Sequence, residues 1–167
     1  MSIMGKLIVV QSDRVQGTDK HNVKGNATNP SPPPPTVPYA GVGEFDYVGE
    51  MTDQLSDFVK IGGKPVALKS SRSSLNPGED IAPTGRHSGA MGKNFIPPTP
   101  APISLSLSIT DSIGEGNPST TSGSSFVKID GTDVLLDADK IDTCDGLGTP
   151  MNSTVTAENQ DFVSCSE

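Results

Sequence analysis

Hydrophobic and polar positions alternate along this chain in short runs, and the period is two wherever one can be seen. Residues 103–110 give the clearest case. Ile103, Leu105, Leu107 and Ile109 fall on one face and Ser or Thr fills the other, the pattern of a half-buried strand. The run Lys6-Leu7-Ile8-Val9-Val10 fits a buried strand, and 153–156 and 162–165 fit two more near the end. The most organised stretch is 124–144. Phe126, Val127 and Ile129 are β-formers, Asp130-Gly131 suits the positive φ of a two-residue turn, and Val134, Leu135 and Leu136 return as a second strand. Residues 44–57 are ambiguous, with one helical turn possible over 51–55, and no stretch sustains a 3.6-residue period. The chain reads as mainly β.

That central hairpin is one copy of a repeat. Phe58-Val59-Lys60-Ile61-Gly62-Gly63-Lys64-Pro65-Val66-Ala67-Leu68 aligns without a gap on Phe126-Val127-Lys128-Ile129-Asp130-Gly131-Thr132-Asp133-Val134-Leu135-Leu136, with seven of the eleven positions identical. Any two hairpins share a V-x-I-x-G pattern by chance, but seven ungapped identities favour duplication. Between and around the copies lie long insertions, 26–57 and 70–125. The first carries Pro32 to Pro35 and Pro38, read as a stiff polyproline II spacer or a recognition ligand. The second carries a long loop in which Gly85-Arg86-His87-Ser88-Gly89 sets a histidine on an exposed bend.

Composition sharpens the problem of how such a chain holds together. Of 167 residues 32% are apolar and 4% aromatic, with no Trp, while Gly, Pro and Ser together number 53. A core this thin calls for a metal or a partner chain. The net charge of −8 disfavours nucleic acid and anionic membrane surfaces. No apolar run is long enough to anchor the chain in a bilayer. The N-terminus lacks a signal-peptide pattern, so synthesis in the cytoplasm is expected. A reducing compartment there lowers the prospect of a Cys144–Cys165 disulfide.

Four residues could hold a soft metal: His21, His87, Cys144 and Cys165. Two imidazoles and two thiolates make a closed tetrahedral zinc site, although no CxxC or HxxxH spacing supports it, and an exposed imidazole pair with two ordinary thiols is the alternative. Asp137, Asp139, Asp142 and Asp145 resemble a calcium loop, but Ile141 stands where an oxygen ligand is needed, so a solvated acidic turn is expected. Asn26-Ala27-Thr28 and Asn152-Ser153-Thr154 match a glycosylation acceptor, relevant only in a eukaryotic secretory setting. Enzymatic activity is not expected, because the chain has no GxSxG elbow, phosphate loop, HExxH or dinucleotide fingerprint.

The repeated V-K-I-x-G-x-x-V-x-L hairpin, followed by Asp137-Ala138-Asp139-Lys140-Ile141-Asp142-Thr143-Cys144, resembles the PAAR-repeat proteins that tip contractile injection machines such as type VI secretion systems and phage tail-like particles. The first copy keeps Pro65 and Ala67 of the family motif; the second keeps Asp139, Ile141 and Cys144 of the segment after it. Val9 to His21 is similar to a further, degenerate unit ending in the family's histidine. The resemblance covers 58–69 and 126–144, and the long insertions depart from a minimal member.

It implies a single domain over 1–167, a small cone of repeated β-hairpins in pseudo-threefold arrangement. The chain would sit as a monomer on a trimeric spike protein of the VgrG type. Structural zinc, or iron, would be held near the apex by His21, His87, Cys144 and Cys165, with His87 the least secure. The function implied is a structural, non-enzymatic tip that sharpens the spike to pierce a target envelope, assembled on an injection particle and delivered outside the cell or into a target. A loosely folded, metal-free secreted interaction or adhesion protein is the alternative from a different class.

Overall fold

The computed structural model describes residues 5–28, 36–74, 86–87, 104–109, 113–144 and 151–166. Their regular structure is all strand: Lys6–Leu7 (β1), Arg14–Thr28 (β2), Thr36–Asp53 (β3), Lys60–Ile61 (β4), Lys64–Pro65 (β5), Arg72–Ser73 (β6), Arg86–His87 (β7), Ser104–Ile109 (β8), Ile113–Pro118 (β9), Lys128–Ile129 (β10), Thr132–Asp133 (β11), Lys140–Cys144 (β12), Ser153–Thr156 (β13) and Ser164–Cys165 (β14). The expectation of a mainly β chain holds.

Both copies of the repeat form the hairpins read from the sequence, β4–β5 and β10–β11. Each turns on two residues of positive φ, Gly62 (58°) with Gly63 (83°) and Asp130 (48°) with Gly131 (78°), as a two-residue turn matched to strand twist requires. A third pairing has the same form but no turn. In it β1 and β14 join the two ends of the chain, Lys6 opposite Cys165 and Leu7 opposite Ser164.

Just past each of these pairings runs one short apolar segment, and the segments lock to one another in a ring. The Val9 N–H donates to the Leu135 carbonyl at 2.9 Å, the Leu135 N–H to Ala67 at 3.0 Å, and the Ala67 N–H to Val9 at 2.9 Å. A second cycle runs outside it: Gln11 N–H to Pro65 carbonyl (2.8 Å), Lys69 to Asp133 (2.9 Å) and Asp137 to Leu7 (2.9 Å). A side chain three residues on then accepts from the backbone of each segment. Asp13 takes the Val10 N–H at 2.7 Å, Ser71 that of Leu68 at 2.8 Å, and Asp139 that of Leu136 at 2.8 Å. Buried backbone groups are thus paired by cyclic repetition rather than by a continuous sheet.

Side-chain alternation splits the core in two across this ring. The middle residues, Val9, Ala67 and Leu135, face a cluster with Val15, Met51, Ile141 and Val155. The flanking residues, Ile8, Val10, Val66, Leu68, Val134 and Leu136, face the hairpins, where Val59 and Ile61, Val127 and Ile129, and Val163 and Cys165 meet them.

Beyond the ring the chain continues into one large sheet with the path β6-β3-β2-β13-β12-β9, while β7 pairs with β3 and β8 with β2. The two ends of the path, β6 and β9, come into contact, so the sheet is nearly closed into a barrel. Gly116 on β9 permits that approach: its φ is +70°, and a Cβ there would lie 2.3 Å from Ser73 Oγ on β6. Only glycine meets both demands.

Much of what the repeat alignment leaves as insertion is therefore strand. Residues 26–28 and 36–43 belong to the long β2–β3 hairpin rather than to a polyproline spacer, while 32–35 lie outside the described residues. The possible helical turn over 51–55 is strand through Asp53. The alternating run 103–110 does form a strand, Ser104–Ile109, laid antiparallel along Val23–Thr28.

Candidate functional site

The end of the molecule below the ring is where its equivalent parts gather. Ser56, Ser124 and Gln160 hold matching positions at the entry to the hairpin pairings. Ser56 Oγ accepts the Val59 N–H at 3.1 Å and Ser124 Oγ the Val127 N–H at 3.1 Å; Gln160 Oε1 accepts the Val163 N–H at 2.8 Å. Ser56 N–H donates to the Val66 carbonyl and Ser124 N–H to Val134, at 2.9 and 2.8 Å, whereas Gln160 uses its side-chain amide to reach Ile8 at 2.7 Å. Between cap and valine each unit carries a phenylalanine. Phe58, Phe126 and Phe162 are 70%, 72% and 67% exposed.

Two of these rings stand beside neighbouring hairpins. The end of Phe162 (Cζ) lies 3.8 Å from the point where a Cβ on Gly62 would be. Phe58 lines a shallow groove with Leu55, Leu68, Ile129 and Asp130. On the second hairpin Lys128 and Lys69 both contact the Asp133 carboxylate, Lys69 at 3.8 Å. The hydrogen bond from Lys128 holds that carboxyl below its ordinary range, against a smaller opposing push from desolvation.

The third unit was missed in the sequence because it is split between the two termini. The signal was present: Asp161-Phe162-Val163 repeats Asp57-Phe58-Val59. The degenerate unit read from Val9 onward supplies the other half, and Val9 and Val10 do stand where Ala67 and Leu68, and Leu135 and Leu136, stand.

The barrel end is different in kind. Along β2 the inward positions pass from Val15 to Asp19 and His21, all fully buried. Thr143 Oγ1 donates to Asp19 Oδ1 at 2.7 Å and lies 2.6 Å from Ser153 Oγ; Asn152 Nδ2 also binds Asp19 and donates to the Thr18 carbonyl at 2.7 Å. Residues 17–21 form the middle of a strand.

The proposed metal ligands divide between these two ends. His21 is on β2 opposite Gly43, and the His87 backbone is on β7 opposite Tyr47, a strand rather than a bend. The Cys144 backbone is on β12 opposite Ile113. Cys165 lies on the other side of the ring, on β14, a free thiol packed into the base cluster in the place that Ile61 and Ile129 take in the other units. Its Sγ is 3.5 Å from Ser124 Oγ. Cys165 is therefore set apart from His21 by the ring, and among the described residues no three His, Cys, Asp or Glu side chains gather as a ligand set. The acidic stretch is not simply solvated either: Asp137 accepts the Ala157 N–H at 2.8 Å, and Asp139 accepts the N–H groups of Leu136 and Gly123, both at 2.8 Å. These carboxylates tie turns to the backbone.

Compared with family models, with curated proteins and with solved structures, the chain finds no match.

Proposed function

We propose that this chain is a structural tip that caps the end of a trimeric spike in a contractile injection apparatus. The observation that carries the reading is the ring at Val9, Ala67 and Leu135, which makes one chain repeat itself three times around an axis. A closed homotrimer offers each of its surface features three times about its own axis. A single chain covers such an end evenly only if it repeats too. On this reading the hairpin end is the base of a pseudo-threefold cone of PAAR-like type, and the barrel is the part that leads into the target envelope. Backbone pairing by two hydrogen-bond cycles supplies rigidity that the thin core cannot.

The alternative, a loosely folded adhesion protein, has less support, because fully buried residues such as Val9, Leu135, Met51 and Ile141 form a shared core. Zinc or iron within the tip stays part of the proposal only as a site formed without Cys165.

The test is assembly. Purified chain mixed with the homotrimeric spike protein of the same source should give one chain per trimer by light scattering after gel filtration. Two separate peaks across micromolar concentrations would end the spike-tip reading.

A further inference from the structure

We infer that Phe58, Phe126 and Phe162 are the anchors by which this chain grips its partner, and that the partner is a homotrimer presenting three equivalent apolar sockets around its axis. The inference rests on the spike-tip reading and adds the residues and the chemistry of contact.

Large apolar side chains on a protein surface are ordinary when scattered singly. These are not scattered. They are the same residue, at the same place in all three units, with exposures within a few per cent of one another: 70%, 72% and 67%. The fold does not require them, since the burial of each unit falls on the valine that follows, Val59, Val127 or Val163, which packs into the base cluster.

Each phenylalanine is nevertheless held in place. The acceptor two residues before it, Ser56, Ser124 or Gln160, fixes the following backbone, and for Phe126 and Phe162 it also takes the phenylalanine's own N–H, at 3.2 Å in both. An aromatic ring on a fixed backbone loses little freedom on binding, as an anchor residue should. The Gly62 turn stands beside Phe162, and Phe58 shares a groove with Ile129 and Asp130 of the second hairpin. Threefold spacing on a rigid frame selects a partner whose sockets share that spacing. A second copy of this chain does not, because two copies meeting face to face would set phenylalanine against phenylalanine and leave no sockets.

The experiment measures binding of the full-length chain to the homotrimeric spike protein of the same source by interferometry, with Phe58→Ser, Phe126→Ser, Phe162→Ser and the triple change. All four variants should melt within about 2 °C of the parent, since exposed positions contribute little to stability. Each single change should weaken binding about tenfold, by similar amounts, and the triple change at least a hundredfold. If the parent chain does not bind the trimer, the spike-tip reading fails and this inference with it. If the parent binds and the triple variant binds equally well, the anchors are refuted while the tip reading stands. One serine change abolishing binding while the other two are silent would overturn the threefold grip. Self-association of the parent chain in light scattering, lost in the triple variant, would identify a second copy as the occupant and overturn it too.

Discussion

The base and the barrel are made by the same passes of chain, yet one is regular and the other is not. In the base, units separated by scores of residues share one pattern of hydrogen bonds: caps at Ser56, Ser124 and Gln160, ring amides at Val9, Ala67 and Leu135. In the barrel, β2 and β3 run to 15 and 18 residues whereas β6 has only 2, and the interior changes from Val15 and Met51 to Asp19, His21, Thr143 and Ser153. Regularity persists where three segments must bond one another in a circle, because a change in one unit costs a bond in the next. Above the ring each strand answers only to its neighbours, and polar pairs replace burial. Both sides of the ring are held by apolar packing; farther along the barrel, at Asp19, Thr143 and Ser153, side-chain hydrogen bonds take over.

Substitutions can break that contrast. The largest loss is expected for Asp13→Ala. This buried carboxylate accepts the Val10 N–H, the backbone N–H groups of Glu158 and Asn159, and the Asn159 side-chain amide. Its removal strands donors on both ends of the chain and should cost about 3–5 kcal/mol in urea unfolding. Leu135→Ala, at the centre of the ring, should cost about 2–5 kcal/mol. In the barrel, Thr143→Val removes a donor to buried Asp19 and should cost about 1–3 kcal/mol. A Thr143 effect larger than that of Leu135 would mean that the polar barrel interior contributes more than the apolar layer at the ring.

Smaller effects sharpen it. Cys165→Ile puts into the third unit the residue found at Ile61 and Ile129 and should change stability by less than about 1.5 kcal/mol. It should also leave any bound zinc or iron unchanged in elemental analysis, whereas loss of metal would return Cys165 to the ligand set. The smallest effect is expected at Asp133. Its folded carboxyl titrates below the ordinary value, chiefly through Lys128. Its contribution is therefore present above the unfolded carboxyl range and lost as pH falls through the lower folded value. Asp133→Asn should be slightly less stable than the parent at pH 6, with the difference disappearing toward strongly acidic pH; a constant difference would contradict the ion pair.

The sequence shows what is local and repeated. The Asp130-Gly131 and Gly62-Gly63 turns and the V-K-I strands are legible because turn chemistry and β-propensity act over a few residues. The β2–β3 hairpin was hidden because its inward positions include Gly17, Asp19 and His21, so an apolar alternation is absent where the interior is polar. The third unit was hidden because its strand partner lies at the opposite end of the chain, and no local pattern marks such a pairing. Cys165 reads as a ligand candidate in the sequence because its equivalence to Ile61 and Ile129 in the base cluster is set by a pairing between distant segments. The site at the base is accordingly visible as three D/S-F-V tripeptides, but their equivalence becomes plain only once the ring is seen.

The threefold base stands on that ring, and amide hydrogen exchange measured residue by residue tests it most directly. The Val9, Ala67 and Leu135 N–H groups should exchange only through global unfolding, with protection equal to within about tenfold. Fast exchange at Val9, typical of a fraying terminus, with Ala67 and Leu135 still protected, would mean that the two chain ends do not close the third unit, and the threefold base would not exist.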